Sequence, residues 1–174
     1  MIPLNSNLTG LKRSQIRVFT NLARQTPDCA MLTIGEPDFD TPEPIRAAAA
    51  QAMANGLTHY APNKGTDSLR KAIAAYETDR GMACTMDNIL VTVGATGALN
   101  TALTGLLNPG DEVIIPIPAF PLYESITLAA GAVPVFLDLK KSNFQIDKAA
   151  LEAVISTKTR AIVLNSPNNP TGCV

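Results

Sequence analysis

Four short, uninterrupted apolar runs punctuate the chain from its midpoint onward: Ile89 to Val93, Val113 to Ile115, Val133 to Leu137 and Ala161 to Leu164. Between them lie stretches of about ten residues whose apolar positions recur at helical spacing. In the first of these, Leu99, Ala102, Leu103 and Leu106 fall on one face. Helices are also expected over Pro121 to Ala130, ending at Gly131, and over Lys148 to Ile155 behind Asp147. The sequence Asn108-Pro109-Gly110-Asp111 reads as a turn. Strands without a polar side, alternating with helices, predict βαβ units: a parallel-type sheet with helices on both faces, an α/β fold.

The first half is less regular. Residues 1–30 read as an N-terminal arm with one helix over Ser14 to Gln25, and Met31 to Ile34 as a short strand entering the turn-rich G-E-P-D-F-D-T-P. The next helix is expected to take Thr41 as N-cap, Pro42 in its first turn and Gly56 past its end. Another opens near Thr66, turns Leu69, Ala72, Ile73 and Tyr76 inward, and closes at Gly81. The division expected is therefore an arm, 1–30, and an α/β domain, 31–174. After the fourth apolar run come S-P-N-N-P-T-G-C-V and no covering helix, which would leave a sheet edge and face bare. The domain reads as incomplete, cut after the N-N-P-T-G loop.

Composition narrows the class of partner. Lys+Arg total 14 against 15 Asp+Glu, a formal net charge of −1. With no basic field to hold nucleic acid or an anionic membrane, a small-molecule partner is expected. Cys29, Cys84 and Cys173 are scattered and odd in number, which argues against a disulfide framework or a zinc site and for a reducing, cytoplasmic setting. The N-terminus lacks the basic-then-apolar order of a secretory signal. The most apolar stretch, Ile126 to Leu137, is broken by Gly131 and Pro134 and is too short to span a bilayer.

In an open parallel sheet, ligands sit beyond the carboxyl ends of the strands, and three loops there carry chemistry. Gly94-Ala95-Thr96-Gly97 opens a helix. Small residues admit a ligand close to the backbone, the helix start offers N–H groups, and Thr96 adds a hydroxyl: a cradle for phosphate. The same pattern serves ordinary packing, and it lacks both the Walker lysine and G-x-G-x-x-G spacing. Phe120, within Pro118-Ala119-Phe120-Pro121-Leu122-Tyr123, stands where strand gives way to helix; its ring could stack on a flat heteroaromatic or simply join the core. In Asn168-Asn169-Pro170-Thr171-Gly172 a carboxamide in a proline-stiffened loop could donate to a ring oxygen, or merely form a turn.

Taken together, I-G-E-P-D-F-D-T-P at 34–42, Y-A-P-N-K-G at 60–65 followed by L-R, V-G-A-T-G-A-L at 93–99, P-A-F-P-L-Y at 118–123 and N-N-P-T-G at 168–172 resemble, in order, the signatures of fold-type-I pyridoxal-5'-phosphate (PLP) aminotransferases of class I/II, the aspartate-aminotransferase kind. The resemblance covers essentially the whole chain and identifies it as the N-terminal part of such an enzyme: the arm would be the small-domain and dimer-contact segment, and 31–174 part of the PLP-binding large domain. It implies that Ala95 and Thr96 bind the cofactor phosphate, Phe120 stacks on the pyridine ring where many relatives use Trp or Tyr, and Asn169 donates to the phenolic oxygen. Gly35 would lie near the substrate α-carboxylate, and Tyr60 would reach the phosphate of the partner subunit in a homodimer. His59, beside Tyr60, is read as structural, and no metal site is expected.

The resemblance also implies what is missing. The family pairs the pyridinium nitrogen with an Asp, adds a Tyr to the phenolic oxygen, holds the cofactor through a Schiff-base Lys and grips the substrate carboxylate with an Arg. All four follow the N-P-T-G loop in the family, so the lysine is expected beyond Val174. Lys12, Lys64, Lys71, Lys140, Lys141, Lys148 and Lys158 occupy arm, helix or turn positions. The expected reaction of the whole enzyme is transfer of an amino group from an amino acid to a 2-oxo acid, with this chain alone inactive. A PLP lyase or synthase on the same fold, and a non-catalytic truncated fragment, are the alternatives. The S-Q-I-R at 14–17 suggests the broad group that includes aspartate and diaminopimelate-type aminotransferases.

Overall fold

The computed structural model describes residues 2–11 and 14–174. In chain order they form helices α1 (Ser6–Thr9), α2 (Gln15–Gln25), α3 (Glu43–Ala54), α4 (Asp67–Thr78) and α5 (Gly94–Leu106). Strand β1 (Glu112–Ile117), helix α6 (Leu122–Ala129), strand β2 (Val133–Asp138), helix α7 (Lys148–Val154) and strand β3 (Thr159–Ile162) follow. Two compact units emerge: Gln15–Thr92, and Val93–Val174 together with the N-terminal residues up to Ser14.

The second unit carries the sheet. Its three strands are parallel in the order β2-β1-β3, and Glu112 to Ile117 lie opposite Val133 to Asp138 in unbroken register. The central strand is covered on both sides: Val113 and Ile114 are fully buried and Ile115 nearly so. Alternation along β1 assigns the layers. Val113 and Ile115 join Leu103 and Leu107 at the end of α5 and Tyr123 and Ile126 of α6. Ile114 joins Leu137 and Leu139, against which Leu151 and Val154 of α7 pack. Thus α5 and α6 cover one face and α7 the other, as right-handed crossovers require when the chain steps from β1 out to β2 and back past β1 to β3. The α/β architecture with helices on both faces is the one the apolar pattern predicts.

Two lengths in this layer place the site. Helix α5 has 13 residues, about 20 Å at 1.5 Å each. Strand β1 has 6, about 20 Å at 3.3 Å each. The turn joining them is tight: Asn108 N–H donates to the Asp111 carboxylate at 2.8 Å, and Gly110 takes φ +87°. A helix that reverses directly into a strand of equal length begins level with that strand's carboxyl end.

In the first unit, helix α4 buries Arg70 and Ala74. Leu69 and Tyr76, which the spacing predicts as inward, are 45% and 54% exposed. The face has turned by one residue because the Arg70 guanidinium has partners: Nη2 donates to Met86 O at 2.6 Å and Nε to Ile89 O at 3.1 Å. Met31 to Ile34 and Ile89 to Val93 are not strands. A strand is completed by a neighbour's ladder, and the second segment instead docks through Val91 N–H donating to Lys64 O at 3.0 Å. That docking fixes Gly65: a Cβ there would lie 2.6 Å from Val91 Cγ2. Pro42 rather than Thr41 holds the N-cap position of α3, while Gly56 and Gly81 follow their helices with positive φ as expected. Strand β3 begins two residues before its apolar run and stops at Ile162.

Candidate active site

Two loops are joined at the carboxyl rim of the sheet, and the start of α5 lies level with it. Gly94 has φ +69°, yet a Cβ there would meet nothing within 4 Å, so glycine serves the backbone angle rather than space. Val93 at the N-cap supplies no side-chain acceptor, and no acidic residue stands in the first turn. Helix α7 shows the contrast: Asp147 at its N-cap accepts from Ala150 N–H at 2.8 Å. The start of α5 therefore keeps the positive end of its dipole unmet by any carboxylate of its own first turn, with Ala95 and Thr96 exposed beside it. Thr96, Leu99, Leu103 and Leu107 form one stripe at i, i+3, i+7 and i+11. Leu99, Leu103 and Leu107 lie in the sheet-side core, so Thr96 continues that stripe onto the rim.

One of the two joined loops leaves β1. Phe120 is half-buried and, like Leu99, packs on the core cluster that includes Leu103. Its ring meets Tyr123 edge-on, with centroids 5.9 Å apart and planes at 81°. Phe120 thus lies on the same face of the sheet as α5. The other loop follows β3. Asn168 Nδ2 donates to Pro118 O at 3.1 Å and to Thr171 Oγ1 at 2.9 Å, tying it to the second loop across 50 positions of sequence. Neighbouring Asn169 is exposed. The phosphate, ring and amide candidates of the sequence thus occupy the start of α5 and two joined loops, level with one rim. Sequence reasoning passed over Asn168, although an Asn-Asn pair in a turn left one carboxamide without a role.

A cleft of about 320 Å³ also opens on this rim, among Pro116, Ala119, Tyr123, Asn165, Asn168 and Cys173. Thr96, Phe120 and Asn169 lie outside its lining. Gly35 and Tyr60 belong to the other unit. There a Cβ on Gly35 would meet nothing within 4 Å, and the Tyr60 side chain is fully exposed. His59 is exposed beside it. Among the described residues no cluster of His, Cys, Asp or Glu could hold a metal ion, and no helix is long and apolar enough to cross a membrane.

The donor chemistry is compatible with a planar heteroaromatic bearing a phosphate. A helix start free of its own acids accepts a phosphate, a half-buried ring at the strand end offers a stacking face, and an exposed carboxamide offers a donor. Comparison with known proteins gives the family. Residues 27–174 match the family described as aminotransferase class I and II. The chain is 44% identical over 172 residues to a probable aspartate aminotransferase of Methanocaldococcus jannaschii, covering 98% of this chain and 45% of that one. It is 39% identical over 171 residues to a probable N-acetyl-LL-diaminopimelate aminotransferase of Bacillus subtilis, covering 97% and 44%. The structure of Thermus thermophilus aspartate aminotransferase with maleate superposes with a TM-score of 0.91 at 38% identity, over 98% of this chain and 46% of the other. The chain therefore spans a little under half the length of these relatives, and it belongs to the class I and II aminotransferase family.

Proposed function

We propose that the protein, at the full length of its relatives, is a PLP-dependent aminotransferase that moves an amino group between an amino acid and a 2-oxo acid. The observation that carries this reading is the sharing of one sheet rim by the acid-free start of α5, the Phe120 ring and the loop of Asn169, in a chain of the aminotransferase family. First-turn N–H groups of α5 and the Thr96 hydroxyl hold the phosphate and so fix the cofactor's position along the rim. Phe120 stacks on the ring and keeps water from that face; a benzene ring does this slightly less well than the larger indole. Asn169 donates to the phenolic oxygen and orients the ring in its plane. Gly35 leaves room for the substrate α-carboxylate, and Tyr60 reaches across a homodimer to the partner's phosphate. When bound, PLP supplies the electron sink that loosens bonds at the substrate α-carbon. The substrates we favour are acidic amino acids, aspartate first, because several of the similar proteins are named for aspartate.

The 174-residue chain alone we propose to be inactive. Its six described lysines, Lys64, Lys71, Lys140, Lys141, Lys148 and Lys158, are all exposed to water. None has the enclosed setting in which a lysine acts as nucleophile. The test is to supply PLP, aspartate and 2-oxoglutarate to the full-length protein and to this chain, then reduce both with borohydride and map labelled lysines. The expected result is amino transfer and one stoichiometric label in the full-length protein only. Release of ammonia or a leaving group instead of transfer would favour the lyase alternative. Stoichiometric labelling of one lysine in this chain, with transfer, would refute the proposed inactivity.

A further inference from the structure

We propose that Asn168 is a positioning residue: it clasps the loop that carries Asn169 to the loop that carries Phe120, and so sets the aim of both toward the cofactor. The inference rests on the functional reading above. Asn168 is half-buried and every hydrogen-bonding arm but its side-chain oxygen is engaged. Nδ2 gives one hydrogen to Pro118 O at 3.1 Å and the other to Thr171 Oγ1 at 2.9 Å. Its backbone N–H donates to Cys173 O at 2.8 Å, and its carbonyl accepts from Gly172 N–H at 2.8 Å. Thr171 Oγ1 also accepts from Cys173 N–H at 3.3 Å, so the turn 168–173 is closed upon itself and fastened to β1's exit through a single side chain. Pro118 stands two residues before Phe120, and Asn168 one residue before Asn169. A shift of either loop therefore moves a stacking ring or a donor relative to the other. Proline at 118, 167 and 170 removes backbone N–H donors from these loops, which leaves a side-chain amide to make the cross-connection.

The experiment uses the full-length protein, PLP as the probe, and two measurements besides activity: the PLP dissociation constant, and the pH midpoint of the bound cofactor's absorption band. Asn169 donates to the ionised phenolic oxygen and favours that form, so a misaimed Asn169 moves the midpoint to higher pH. A merely structural loss would weaken binding without that upward movement. Asn168→Ala is expected to raise the dissociation constant about tenfold and to shift the midpoint upward. Thr171→Val, which keeps the side-chain volume and the Pro118 bond, is expected to do the same to a smaller degree, and Thr171→Ser to restore wild-type behaviour. If Asn168→Ala does not fold, the Thr171 pair decides alone. Wild-type protein that takes up no PLP would overturn the functional reading itself. Wild-type protein that binds PLP, with the midpoint unmoved in Asn168→Ala or, failing that, in Thr171→Val, whether or not the dissociation constant rises, would overturn the clasp and leave the function standing.

Discussion

Replacing Arg70 with methionine isolates what a buried guanidinium does in the first unit. Arg70 is 6% exposed, and its donors end on two backbone carbonyls, Met86 O at 2.6 Å and Ile89 O at 3.1 Å. Its carboxylate neighbours are farther and wetter: Asp67 at 3.4 Å is 64% exposed and Asp87 at 3.5 Å is 81% exposed. Ion pairs of that kind contribute about 0–1 kcal/mol. A hydrogen bond from a charged donor contributes about 1.5–3 kcal/mol net, and a carbonyl left buried without a partner adds to the loss. Methionine keeps the stem's packing and removes a charge whose burial is itself unfavourable, so the net cost is about 2–4 kcal/mol rather than the full sum. Hydrogen exchange read by mass spectrometry over Asp67 to Ile89 reports local opening directly. Arg70→Met should speed exchange there about 30-fold or more, since 1.4 kcal/mol corresponds to a factor of ten. Asp67→Asn and Asp87→Asn should each change it less than about fivefold. Exchange in Arg70→Met within twofold of wild type, or larger effects from the two Asp variants, would refute the carbonyl account.

Two further outcomes follow from the second unit. Leu103, 6% exposed in the α5–sheet core, should cost about 2–4 kcal/mol as alanine in urea unfolding, whereas Leu106, 42% exposed on the same helix, should cost about 1 kcal/mol or less; equal costs would contradict the layer assignment. Asp147→Ala removes the carboxylate that accepts from Ala150 N–H at 2.8 Å and should lower stability by about 1 kcal/mol, with Asp147→Ser recovering most of it.

How much of this was legible in the sequence depends on where each signal resides. Val113 to Ile115 announces itself because a strand buried on both faces must be apolar throughout; Val133 to Leu137 carries the same signature at the sheet edge, although Val133 and Phe136 are 47% and 45% exposed. Asp147, Gly56 and Gly81 are legible because capping is chemistry of a few adjacent residues. Ile89 to Val93 has the same composition as the true strands, yet a ladder partner is a property of the fold and no local pattern supplies it. Arg70 misleads for a related reason: a charged side chain is assigned outward until the carbonyls of Met86 and Ile89, 16 and 19 residues away, are seen to receive it. At the site, the small residues that open α5 and the ring at 120 could be read directly, and their shared rim follows from strand and helix lengths. Asn168 could not be distinguished from Asn169 by type; the hydrogen bond to Pro118 makes the difference.

The central claim is that the start of α5 receives the cofactor's phosphate, and the most direct test compares PLP with pyridoxal, which lacks that group, by equilibrium binding to the full-length protein and its Thr96→Val variant. The account predicts that wild-type protein binds PLP far more tightly than pyridoxal, and that Thr96→Val narrows the preference about tenfold or more, the effect of one hydrogen bond to a charged group, by weakening PLP alone. An unchanged preference, or equal weakening of both ligands, would contradict it.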